Sequence, residues 1–150
     1  MNILKFLQIL AVALALAGYA SWLRSARQAH PGPLMVGGIL LYPTDQAEAL
    51  WHEPTTRFVD VRSSVDYAYG HIAGALELPE DEFDQRLPGL RAQLEQARAI
   101  IVYCGSRRCA RSLRVAMRLR AEGLEQTQIY PEGWNAWFER NLPVERSATR

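Results

Sequence analysis

The stretch from Ile101 to Ser112 limits the fold more than any other: a short apolar β-like run, Ile101-Val102-Tyr103, passes through an arginine-rich loop into a helical pattern. Such a strand–loop–helix unit belongs to chains in which strands and helices alternate. The loop, Cys104-Gly105-Ser106-Arg107-Arg108-Cys109-Ala110-Arg111, carries both cysteines of the 150-residue chain, five positions apart. A cysteine delivered from a buried strand toward a helix start meets the positive end of the helix dipole and nearby guanidinium charge. Both favour thiolate over thiol.

Other segments repeat the alternation. Thr44 to Trp51 reads as a short helix capped at Thr44, Arg57 to Arg62 as a strand, and Ser64 to Tyr69 as a second short helix. Leu76 to Leu78 is a brief strand stopped by Pro79. Acidic Glu80, Asp81 and Glu82 suit a helix start, and Phe83, Leu87, Leu90 and Leu94 carry the helical spacing toward Gln96. Pro88 and Gly89 are expected to split that helix. Ala99 to Tyr103 is a buried strand, Ser112 to Glu122 a helix, Gln126 to Tyr130 a strand and Gly133 to Arg140 a last helix. This order predicts an α/β fold: a mostly parallel sheet with helices on both faces. Ligands in such sheets bind beyond the carboxyl ends of the strands, where Cys104 falls.

The apolar content is uneven. Phe6 to Leu23 is a run of 18 residues without charge, bounded by Lys5 and Arg24. As a helix it would reach about 27 Å, close to the roughly 30 Å of a bilayer core. Residues 1–30 are therefore expected to form an N-terminal hydrophobic helix, either a membrane anchor through residues 6–23 or a cleaved signal peptide ending near Gly18-Tyr19-Ala20. A buried core helix fits less well, since the segment is apolar on every face. Pro31, Gly32 and Pro33 mark a linker, taken as 31–39, before a domain spanning 40–150. The anchor reading places the protein in a bacterial-type inner membrane, with the domain on the periplasmic rather than the cytoplasmic side.

Charge bears on partners. All 16 acidic residues and 14 of the 17 basic ones follow residue 30, a net of −2. No nucleic-acid partner is expected. The exception is local: Arg107, Arg108, Arg111, Arg114, Arg118 and Arg120 run through the cysteine loop and the next helix without an acid among them, a patch suited to small anions. A solvated helix face accounts equally for the last three.

Three ordered motifs carry a family resemblance. Val59-Asp60-Val61-Arg62 with Tyr67, Gly70-His71-Ile72, Gly74-Ala75 and Pro79 is the first. Val102-Tyr103-Cys104 with Ser112 and Ala116 is the second, and Glu132-Gly133-Trp134-Asn135-Ala136-Trp137 with Leu142-Pro143-Val144 the third. Over roughly residues 40 to 145 the chain resembles a rhodanese-like sulfurtransferase domain. It departs from the family pattern twice: Glu132 replaces the first glycine of the closing pair, and the active loop is two residues longer than C-x-x-G-x-R-S, with Cys109 inside it.

The resemblance implies that Cys104 is a nucleophile that takes sulfane sulfur from a small anionic donor such as thiosulfate, forms a persulfide and passes the sulfur to a thiol or cyanide-like acceptor. Backbone N–H groups from Gly105 to Ala110 would cradle the negative charge, and Arg107, Arg108 or Arg111 would hold the donor. Asp60 would hydrogen-bond loop backbone and Arg62 would pair with acidic neighbours; these two and Ser112 are supporting residues. His71 is expected to be a hydrogen-bonded core residue, and Trp134 and Trp137 to pack the last helix. Cys109 is open between a resolving cysteine, a second sulfur carrier and a spacer. Two cysteines make no zinc site, and neither metal nor cofactor is expected. A thiol–disulfide redox protein and a non-catalytic binding module remain the rival functions, with a phosphatase behind them because the spacing from Cys104 to Arg111 is wrong.

Overall fold

The computed structural model describes residues 34–147. The expected N-terminal hydrophobic helix, its span at residues 6–23 and the start of the linker lie outside the described residues. Among the described residues no helix is long and apolar enough to cross a membrane.

The chain opens with two short strands, β1 (Leu34–Val36) and β2 (Ile39–Leu41), paired antiparallel. Gly37 and Gly38 join them with φ of 57° and 78°, the double positive φ that a two-residue hairpin turn demands. Residues 34–39 therefore form a hairpin on the sheet rather than the predicted linker. The turn signal was a Gly-Gly pair between two apolar triplets.

Helix α1 (Thr44–Trp51), β3 (Thr56–Asp60), α2 (Ser64–Tyr69), β4 (His71–Ile72) and β5 (Leu76–Glu77) follow. A 3-10 turn at Glu80–Glu82 leads into α3 (Phe83–Glu95), and β6 (Ala99–Tyr103), α4 (Arg111–Ala121), β7 (Thr127–Tyr130), α5 (Gly133–Glu139) and β8 (Val144–Glu145) complete the chain. The main sheet has the order β1-β2-β7-β6-β3-β5, parallel except at the β1–β2 hairpin, while β4 and β8 pair separately and antiparallel. The fold is the expected α/β sheet with helices on both faces.

Period-two alternation of the central strand divides the core into two layers. Ile100, Val102 and Cys104 face Phe83, Leu87 and Leu94 of α3 and Val115, Ala116 and Leu119 of α4. Ile101 and Tyr103 face the other way, toward Ala47 of α1 and Trp137 of α5. Helix α3 runs unbroken through Pro88, against expectation. A mid-helix proline costs about 3 kcal/mol. Phe83, Leu87 and Leu94 are buried on the same helix, and at roughly 1.5 to 3 kcal/mol each their burial outweighs that cost.

Candidate functional site

After β3 the chain supplies β5 on one side of that strand and β6 on the other. The crevice beyond the carboxyl ends of β3 and β6 is thus the topological switch point, where ligands of parallel sheets bind. Asp60 ends β3, Tyr103 ends β6 beside it, and Cys104 is the next residue.

Cys104 is held by its backbone. Its carbonyl accepts the Trp134 N–H at 2.8 Å, and the Gly105 carbonyl accepts the Asn135 N–H at 3.0 Å, so the strand end satisfies donors that the first turn of α5 leaves without intrahelical partners. Gly133 permits this docking. It has a φ of 65°, and a Cβ there would lie 2.1 Å from the Cys104 carbonyl oxygen. Beyond Gly105 the loop turns back on itself as the Cys109 N–H donates to the Ser106 carbonyl at 3.0 Å. That bond removes one donor from the anion cradle expected between Gly105 and Ala110.

The two cysteines are joined. Cys104 and Cys109 form a disulfide with Cα atoms 6.2 Å apart. The thiolate expected at Cys104 is therefore absent from this form, and Cys109 is a bonded partner rather than a spacer. Cys104 is buried and Cys109 half-buried. Both line an open cavity of about 410 Å³ whose walls also include Gly105, Ser106, Arg111, Arg62 and Trp134. Ser112 is buried behind the loop, its hydroxyl reaching the Cys109 carbonyl at 3.4 Å.

The β3 side of the crevice is a closed ion pair. Asp60 is fully buried; one carboxylate oxygen accepts the Arg62 backbone N–H at 2.9 Å, and the other accepts Arg62 Nη2 at 2.6 Å. Arg62 Nη2 also donates to the Gly70 carbonyl at 2.6 Å, and the guanidinium lies 4.7 Å from the Trp134 ring centre. Burial alone would lower the Arg62 pKa, but the hydrogen bonds and charge of Asp60 outweigh it and hold the pKa above its ordinary value. The expected bond from Asp60 to loop backbone goes to Arg62's own N–H. Arg62's acidic partner is Asp60 itself.

Of the expected anion-binding arginines only Arg111 lines the cavity. Arg107 turns away to pair with Glu132, whose second oxygen accepts the Thr44 hydroxyl at 3.1 Å. The residue in place of the family's glycine thereby ties the active loop to α1. Arg108 is exposed, and neither it nor Ala110 is a wall of the cavity. The remaining arginines find acids from outside their own segment: Arg114 binds Glu80, Arg118 binds Asp84 at 2.6 Å, and Arg120 binds Glu125 at 2.9 Å. Much of the expected anion patch is neutralised.

His71 is a core residue as expected. Its Nδ1 lies 2.8 Å from the Tyr67 carbonyl and its ring stacks on Tyr67 with centres 3.7 Å apart. The Tyr67 hydroxyl donates to the Ala75 carbonyl at 2.7 Å, and burial, followed by the charge of Glu77, pushes its pKa up to about 12. Trp137 is buried and bonded to the Pro143 carbonyl, whereas Trp134 also forms a cavity wall. Trp134, Asn135, Asp66 and Tyr69 complete the lining. No spacing in the sequence linked them to Cys104, since they come from α2 and α5.

Known proteins share this fold. The model of the rhodanese-like domain matches residues 43–140. Over 83 residues the chain is 40% identical to a tRNA uridine(34) hydroxylase of Pectobacterium carotovorum, covering 53% of this chain and 23% of that one. The chain thus spans about a quarter of the length of the curated relatives it matches. Among solved structures, a rhodanese-like domain from Anabaena superposes with a TM-score of 0.59 at 26% identity, covering 71% of this chain and 78% of that one. A thiosulfate sulfurtransferase from Pseudomonas aeruginosa gives a TM-score of 0.59 at 25% identity, covering 71% of this chain and 19% of that one. The cysteine-bearing loop at the switch point and the match across about two thirds of the chain agree: this chain belongs to the rhodanese-like domain family.

Proposed function

We propose that the domain is a sulfurtransferase working through a persulfide on Cys104, formed once the Cys104–Cys109 disulfide has been reduced. The observation that carries this reading is the position of Cys104, fixed at the end of the central strand and lining a solvent-open cavity with Arg111 on its wall. Its thiolate attacks the outer sulfur of an anionic donor, thiosulfate being the simplest; the S–S bond of the donor breaks and sulfite leaves. Arg111 holds the donor's sulfonate. The likeness to a thiosulfate sulfurtransferase supports the same chemistry.

Mass spectrometry of the reduced protein after thiosulfate treatment tests it. One added sulfur is expected on Cys104, and Cys104→Ser is expected to abolish transfer to cyanide. Sulfur found on Cys109 alone overturns the assignment. The disulfide favours a second reading, a thiol–disulfide carrier using the same pair; in that case the pair exchanges with external dithiols while thiosulfate loads neither cysteine.

The uncharged run at residues 6–23 supports a membrane tether, with the domain in an oxidising compartment suited to the disulfide. A reporter fused after Arg150 reads the side.

A further inference from the structure

We infer that Cys109 is a resolving thiol that makes this domain a dithiol-dependent sulfur reductase, releasing the donor's sulfur as hydrosulfide rather than only passing it on. The inference rests on the persulfide reading above and extends it to the fate of the sulfur.

Cys109 can reach the Sγ atom of Cys104, since the two are bonded across a Cα separation of 6.2 Å, inside the range a disulfide tolerates. The strand end is pinned to α5 by the carbonyls of Cys104 and Gly105, and the Cys109–Ser106 hydrogen bond folds the loop so that Cys109 returns to the same cavity. A persulfide formed on Cys104 therefore has a second sulfur nucleophile beside it. No outside thiol has to enter for the next step.

The balance is as follows. Thiosulfate and the Cys104 thiolate give sulfite and Cys104–S–S⁻. The Cys109 thiol then loses its proton and its sulfur attacks Cys104 Sγ; the bond from Sγ to the outer sulfur breaks, and that sulfur leaves with the electron pair and the proton as HS⁻. The Cys104–Cys109 disulfide remains. The donor's sulfane sulfur is reduced by two electrons, and the two cysteines are oxidised by two. A dithiol, small or borne by a protein, restores both thiols by exchange and closes the cycle. The structure holds the end state of that release step.

A single turnover tests the step. Reduced protein freed of reductant is mixed with one equivalent of thiosulfate, and sulfite, hydrosulfide and the mass of the cysteine-loop peptide are followed. The wild type is expected to release sulfite and hydrosulfide in equal amounts and to finish as the disulfide. Cys109→Ser is expected to release sulfite alone and to keep the added sulfur on Cys104. Hydrosulfide from Cys109→Ser at the wild-type rate, or a wild type that keeps its added sulfur, overturns the inference and leaves the transferase reading standing. Sulfite from neither protein overturns both. Should Cys109→Ser fail to fold, oxidised wild type treated with sodium hydrosulfide runs the step backward: added sulfur on Cys104 with a free thiol at Cys109 supports it, and an unmodified disulfide overturns it.

Discussion

Two strand ends meet at the crevice, and they differ in how their bonds are spent. At the end of β3, Asp60 and Arg62 are buried and bonded to one another, to the Arg62 backbone and to the Gly70 carbonyl. At the end of β6 the loop from Gly105 to Arg111 is half-buried or exposed, fastened at Cys104 and Gly105 by two backbone bonds and closed by the disulfide. The first arrangement is fixed by charge and geometry, with the Arg62 side chain forming part of the cavity wall. In the second, the cysteine pair faces a solvent-open cavity in which covalent chemistry can change. Support and reactivity have been assigned to neighbouring strands.

The sharpest break of that contrast is Asp60→Asn. It strands the Arg62 guanidinium in a buried site, and a buried pair broken from one side costs about 3 to 5 kcal/mol. Opening the disulfide costs less. For a loop of this size the chain-entropy estimate is about 2 kcal/mol, and Cys104→Ser is expected to lose all sulfur transfer. Urea unfolding should show a larger stability loss from the oxidised wild type for Asp60→Asn than for Cys104→Ser. Equal losses would remove the distinction between the two strand ends.

Much of this was legible in the chain. The alternation of elements, the strand from Ala99 to Tyr103 and the placing of Cys104 beyond it follow from local pattern, and the structure repeats them. Long-range pairing was not legible: Arg114 meets Glu80 and Arg118 meets Asp84 across 34 positions, as α4 lies beside the start of α3. A run of arginines therefore looked like an anion patch. The tie from Arg107 to Glu132, which spans 25 positions, was hidden for the same reason. Helix α3 persisted through Pro88 because burial, which no propensity records, outweighed a local penalty.

An intermediate effect is expected at the seam between the loop and α5. Gly133→Ala places a Cβ against the Cys104 carbonyl oxygen and forces a non-glycine residue to a φ of 65°. Left-handed backbone costs roughly 1 to 2 kcal/mol, and relief of the clash pushes Cys104 away from the Trp134 N–H. The variant should lose more in sulfur loading than in stability, because the carbonyl it displaces belongs to the proposed nucleophile. Unfolding in urea and thiosulfate loading, compared on one preparation, read the two separately. A full loading rate would show that docking to α5 does not position Cys104.

The smallest effect separates the two arginines of the loop. Arg107 is exposed and paired with Glu132, whereas Arg111 forms no ion pair among the described residues and lines the cavity. An exposed pair is worth about 0 to 1 kcal/mol, so Arg107→Ala should leave stability within that margin and the KM for thiosulfate within about two-fold. Arg111→Ala removes a charged hydrogen-bond donor facing the anion. A loss of about 1.4 kcal/mol, near the lower end for such bonds, is a ten-fold rise in KM. Measured on the same reduced protein with cyanide as acceptor, a larger KM effect at Arg107 than at Arg111 would mean that the Glu132 pair opens on substrate binding. The β6 loop would then rearrange around its donor, and its difference from the rigid β3 corner would be greater than the static geometry implies.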